Sequence, residues 1–216
     1  NNKTYGSGWS NAVYTNEKEN TNIVVGNHGE KSITYSSVYG DDKIGTGHAK
    51  STINSSRSWS MHWRDAGTDP WTPVKGNDNF CPNSGSVKGI CGRWMRIDMG
   101  VEKKVAGIII QGRSSGRYSY QYVNKVDVYC SKDINGPWQL ALSDATANTK
   151  AGDTKKINFV YPILCKYVCI VVKAWSGYPS MRADVLVKVE ENNIENKKFM
   201  RENINKVESI KNDTTS

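Results

Sequence analysis

The sequence is short of several things that would name a chemistry outright. No apolar run comes near the ~18 residues of a membrane-spanning helix, and the longest, "YVCIVV" between Lys166 and Lys173, reads as a buried strand. Histidine is scarce: His28, His48 and His62 are all there are, and all precede Ser114. That order matters because "GRSSG" (112–116) fits the G-x-S-x-G nucleophile pattern with Ser114 as nucleophile. Such an elbow requires a helix after it and an Asp and His later in the chain, whereas strand-like "RYSYQYV" follows, which argues against a serine hydrolase. No cysteine pair at two-to-four spacing is joined to a second such pair or to His, so a structural zinc site is excluded. "GDDKIGTGHAK" lacks the Lys-Ser/Thr that a phosphate-cradling loop needs after its last glycine. Asn1 is not followed by a signal-peptide pattern, the expectation for a mature or excised chain, or for a cytosolic one.

Phenylalanine is also scarce, with three Phe against eleven Tyr and seven Trp. Rings with a polar handle suit binding surfaces as well as cores. Within 216 residues, apolar residues make up 37% and charged residues 23%, ordinary for one sizeable globular domain with extensions. The formal net charge is +8. From Lys188 to Asp213 six basic residues offset six acidic ones, so the excess lies upstream. A basic body favours acidic partners: lipid headgroups, sulfated glycans or nucleic acid. The lysines are scattered over many strand-like segments rather than tracked along one groove, which counts against nucleic acid.

Cys81 and Cys91 bracket "PNSGSVKGI", a loop of turn-formers, where a disulfide would contribute about 2–3 kcal/mol. Cys165 and Cys169 stand four apart in a strand-like run, roughly 13 Å between α-carbons, and so cannot pair with each other. One of them can pair with Cys130, which leaves an odd thiol; all five reduced is the alternative.

Residues 1–30 read as a polar extension with one strand at "NIVV". From Lys31 to Val189 short β-like segments alternate with turn signals, the all-β pattern. They are "KSITYSSV", "SRSWSMHW", a polar excursion over 64–91, "RWMRIDMG", "KKVAGIIIQ", "YVNKVDVYC", "WQLALS", "KINFVYP", "KYVCIVVKAW" and "RADVLVKV". Asn135–Gly136 is a strong hairpin signal. In the 190–216 tail Met200, Ile204 and Val207 fall at helical spacing, predicting a short helix or stalk that could dock the domain onto other subunits.

In their order "SITYSS", "AKSTINSSRSWS", "RWMRIDMG", "KKVAGIIIQGR", "YVNKVDVYCSKD", "PWQL", "YPILCKYVCIVVKAW" and "MRADVLV", the segments resemble the discoidin domain, also called the coagulation factor V/VIII type C domain, over about 31–189. The resemblance implies an eight-stranded antiparallel jelly-roll barrel, non-catalytic, whose loops at one end bind glycans, proteins or phospholipid surfaces. It assigns structural positions to Trp59, Trp94, Asp98, Arg113, Trp138, Tyr167 and Arg182, with Asp98 and Arg113 bracing strands. This chain departs from the family at its ends: Lys31 and Val189 stand where a closing disulfide is usual, and Cys169 replaces a usual arginine.

Under that barrel the projecting loops are 39–48, 63–91 and 114–121. Rings beside cations there suit a sugar face or a headgroup boundary. The ligand candidates are Tyr39, His48, Trp63, Arg64, Trp71, Arg117, Tyr118, Tyr120, Trp175 and Tyr178. Asp41, Asp42 and Asp69 are weak candidates for a structural Ca²⁺, which needs six or more converging oxygens; no other cofactor is expected. Asn54, Asn2 and Asn212 lie in glycosylation sequons. The expected function is a secreted or cell-surface adhesion module for a glycan or surface protein. An anionic-lipid module and a structural docking domain are the alternatives. The polar, acidic loop "SVYGDDKIGTGHAK" weighs against deep membrane insertion.

Overall fold

The computed structural model describes residues 22–62, 93–113, 117–150 and 152–189. They form β1 (Asn22–Val25), β2 (Ile33–Tyr35), β3 (Trp59–Ser60), β4 (Arg93–Gln111), β5 (Tyr122–Ser131), β6 (Gln139–Thr146), β7 (Thr154–Ser176) and β8 (Ser180–Val189). Every pairing is antiparallel, in the order β1-β8-β4-β7-β5-β6, with β2 added to β4 and β3 to β8. The expected eight-stranded all-β architecture is therefore present, and no α-helix occurs among the described residues. The helix expected in 190–216 lies outside them.

β4 and β7 define the shape. The sequence predicts two strands in each region, and each is instead one long strand bent through a corner. Arg93–Asp98 of β4 pairs with Tyr167–Val172 of β7, and Gly107–Gln111 pairs with Thr154–Asn158. At the corners the register slips. Residues 99–102 face Lys166 alone, and residues 159–162 face Ala106 alone. Asp98 accepts a 2.8 Å hydrogen bond from Gly100 N, closing the β4 corner. The slips also change which side chains point inward. Met95, Ile97 and Met99 fill the main core from the first half of β4, but Ile108 and Ile110 do so from the second. Alternation with period two survives within each half and switches phase between them.

The main core holds Trp59, Met61, Ile97, Ile110, Ile170 and Met181, all fully buried. A smaller cluster of Trp94, Tyr129, Cys169 and Val171, with Trp138 against it, covers the outer face. The phase switch separates the cysteines: Cys130 and Cys165 face the main core, Cys169 the outer cluster. Contrary to the expected pairing of Cys130 with Cys165 or Cys169, all three are free thiols. The hydrogen bond with Cys165 and then burial push the Cys130 thiol up, and burial does the same to Cys169, leaving both in the unreactive protonated form. Cys81 and Cys91 lie outside the described residues.

Residues before Lys31 are tied to the sheet. β1 pairs with β8. Beyond it the buried His28 Nδ1 lies 2.6 Å from Asp184 Oδ1, and Asp184 also accepts from His28 N at 2.9 Å. Glu30 accepts from Ser51 N and Thr52 N at 3.0 and 2.9 Å. A buried carboxylate with such partners holds its loop firmly, because removing one partner strands a charge.

Candidate functional site

The registers put both ends of β7, the ends of β4 and β8's start on one side of the barrel. The loops after β2, β4 and β7 gather there. Trp59 anchors the first of them from below: it is fully buried, donates from Nε1 to Ser37 O at 2.7 Å and stacks on Tyr35 at 5.6 Å.

In the 39–48 loop the Asp42 carboxylate turns back onto His48. It accepts from His48 N at 2.7 Å and from Nδ1 at 2.9 Å. The backbone N–H first, and then the ring, holds the Asp42 carboxyl below the usual carboxylate range. An ionised carboxylate only accepts, so Nδ1 carries the proton and Nε2 is left to face a ligand. Gly47 makes the approach possible. Its φ is 44° and a Cβ there would overlap the Asp42 carboxylate. The His48 ring tilts against Tyr39 at 4.9 Å, and Tyr39 meets Tyr178 edge-on at 6.2 Å. Tyr178 OH donates to Met61 O at 2.9 Å, fixing the third ring. Tyr39 remains 41% exposed, so the cluster presents a ring surface to solvent.

The cluster continues into the 117–121 turn. Tyr120 lies over Gly177, where a Cβ would collide with its ring, and Gly177 precedes Tyr178 directly. Arg113 donates to Gln121 Oε1 at 2.7 Å and stacks on Tyr118 at 4.6 Å. Loss of water around the Arg113 guanidinium lowers its pKa, and the like charge of Arg57 adds to the effect. Tyr118 and Tyr120 are 42% and 55% exposed, and Arg117 is exposed beside them.

Arg57 is held in place through neighbours. Asn54 N donates to Gln111 Oε1 and Gln111 Nε2 to Asn54 Oδ1, both at 2.8 Å. Arg182 spans the same gap, donating to Ser55 O at 2.9 Å and to Gly112 O at 2.7 Å. Together these bonds lash the 54–57 turn to the end of β4.

Of the ligand candidates, Tyr39, His48 and Tyr178 form one cluster, with Arg117, Tyr118 and Tyr120 beside it. Trp175 instead packs against the core beneath Arg93, whose guanidinium lies 5.0 Å from its ring. Trp63, Arg64 and Trp71 lie outside the described residues, as does Asp69. Asp42 braces His48, and no group of three His, Cys, Asp or Glu converges as a metal site among the described residues. Among the structural positions, Trp59, Trp94, Trp138 and Tyr167 pack in the clusters or against the strands, and Arg182 is the buried brace. Asp98 and Arg113 stand at opposite ends: Asp98 closes a corner while Arg113 reaches the rim. Arg57 is the rim residue that sequence reading missed. Its neighbourhood to Arg113 depends on a tertiary contact, although its place two residues before buried Trp59 marks it as a strand-entry residue.

Comparison with known proteins adds the family. A model described as the F5/8 type C domain matches residues 32–185. Lactadherin of Rattus norvegicus is 29% identical over 99 residues, covering 43% of this chain and 22% of that protein. The non-catalytic subunit of the venom prothrombin activator pseutarin-C of Pseudonaja textilis is 26% identical over 145 residues, covering 60% of this chain and 9% of that one. The chain thus spans under a quarter of either relative. The crystal structure of an F5/8 type C domain from Bacteroides fragilis superposes with a TM-score of 0.53 at 16% identity, over 80% of this chain and 99% of that one.

Proposed function

Because the chain belongs to the F5/8 type C domain family, we propose that it is a binding module that takes a glycan at the tyrosine-lined end of its barrel, outside the cell. Domains of this family are non-catalytic modules that bind carbohydrate or phospholipid. The observation that carries the glycan reading is the His48–Tyr39–Tyr178 cluster, with the His48 tautomer set by Asp42. A ring face meets the C–H face of a sugar, and His48 Nε2 accepts from a hydroxyl placed at the ring edge. Both are features of a site built for a polyol. The large apolar residues exposed at this end, among those described, are Tyr39, Ile44, Tyr118 and Tyr120. Only Ile44 lacks a polar handle, and a lipid-inserting rim needs more than one such residue.

A glycan array probed with the full chain and with Tyr39→Ala and His48→Ala tests the reading. Selective glycan binding that both substitutions weaken by about 10-fold or more, the scale of one well-placed polar contact, supports it. Binding to anionic vesicles with no glycan bound overturns it in favour of the lipid reading.

A further inference from the structure

Most basic side chains on the described surface that make ion pairs are neutralised locally: Lys125 by Asp144, Lys132 by Glu102 and Lys173 by Asp127, at 2.7, 2.9 and 3.0 Å. The rim contains two that are not. Among the described residues neither Arg57 nor Arg113 forms an ion pair. Arg113's described hydrogen-bond partner at its guanidinium is the neutral amide of Gln121. The nearest carboxylate in their field, Asp42, is engaged by His48. Two guanidinium groups are therefore held on neighbouring loops, close enough to repel, and the fold keeps them there. Gln111 and Arg182 pin the turn that carries Arg57, while Gln121 and the Tyr118 ring orient Arg113. Like charges fixed side by side without a counter-charge destabilise the free protein and are relieved by an anion placed between them.

We propose that Arg57 and Arg113 form an anion subsite at the edge of the ring cluster, and that the glycan recognised there carries a sulfate or carboxylate. The planar fork of each guanidinium matches the oxygens of such a group, which a lysine pair would meet only as point charges. The sugar ring rests on the Tyr39–Tyr178–Tyr120 surface, and its anionic substituent reaches across Tyr118 to the two arginines. This inference rests on the glycan reading above and deepens it, since that reading alone is satisfied by a neutral sugar.

The test is a calorimetric titration of the full chain with a heparin-derived octasaccharide and with its desulfated counterpart of equal length. The sulfated form is expected to bind roughly 10-fold tighter or better, as charge-assisted bonds would give. Arg57→Ala should abolish that difference and leave binding of the desulfated form unchanged. Lys156→Ala, which removes the same charge from an exposed position on β7, should preserve the difference. Equal affinity for the two oligosaccharides overturns the anion subsite while leaving the glycan reading standing. Equal loss in Lys156→Ala and Arg57→Ala overturns it too, because diffuse net charge then suffices. If neither oligosaccharide nor any arrayed glycan binds, both readings fall. If phosphatidylserine vesicles bind in an Arg57-dependent way and glycans do not, the anion is a lipid headgroup and the proposal is overturned.

Discussion

The two ends of the barrel expose rings and apolar side chains for opposite reasons. At the rim, Tyr39, Tyr118 and Tyr120 are exposed but held, by ring contacts, a braced histidine and a stacked arginine. At the corner end, Val101, Val160, Tyr161 and Leu164 are 62%, 83%, 72% and 46% exposed. Three of these lie in or next to register slips, where four residues of one strand face one of its partner. The corner side chains are pushed outward by the geometry of two strands bending between layers. Exposure of an aromatic residue is thus weak evidence of a binding role, and fixed orientation with unsatisfied polar atoms is stronger.

That contrast can be broken at its foundation first. Trp59 is buried beneath the rim and supports it through Ser37. Trp59→Ala should lower unfolding free energy in a denaturant melt by about 3–5 kcal/mol, the range for losing a buried aromatic. A loss below about 1 kcal/mol would mean the rim is not built on this residue. The next effect is functional: His48→Ala should weaken glycan binding about 10-fold while changing stability by about 1 kcal/mol or less. Parallel losses of both would make His48 a structural residue only.

A pH titration sharpens the same point. The folded Asp42 carboxyl lies below its usual range because it accepts from His48. The unfolded midpoint is about 3.9, so this bond contributes fully above that pH and is lost as pH falls through the lower folded midpoint. NMR of the Asp42 carboxyl carbon should show a midpoint below ~3.9 that returns towards it in His48→Ala; an identical midpoint in both proteins would remove Asp42 as the brace. The smallest effect is at the corner: Val160→Ser with Tyr161→Ser should change stability by about 0.5 kcal/mol or less and leave glycan affinity unaltered. A drop in affinity there would dissolve the distinction between the two ends.

Strand identity was legible in the sequence because alternation holds within each half-strand, and the ordered segments carried the family. What alternation could not convey is the phase switch at the corners. Cys165 and Cys169 are four apart and in a regular strand would share a face. They point into different clusters because the bend separates them. At the site, Tyr39, His48 and Tyr178 were legible as rings and a histidine in loops, and the Asp42–His48 tie spans only six residues. Arg57 was not legible: its proximity to Arg113 is created by Gln111 and Arg182, whose bonds bridge distant parts of the chain. Trp175 looked like a loop ring by its neighbours in sequence, yet its pairing opposite Val123 places it on a strand against the core.

The most direct test is an amide chemical-shift titration of the labelled chain with the tightest-binding glycan from the array. The account predicts shifts confined to the loops bearing Tyr39, His48, Arg57, Tyr118 and Tyr178. Shifts centred on Val101, Val160 and Tyr161 would contradict it.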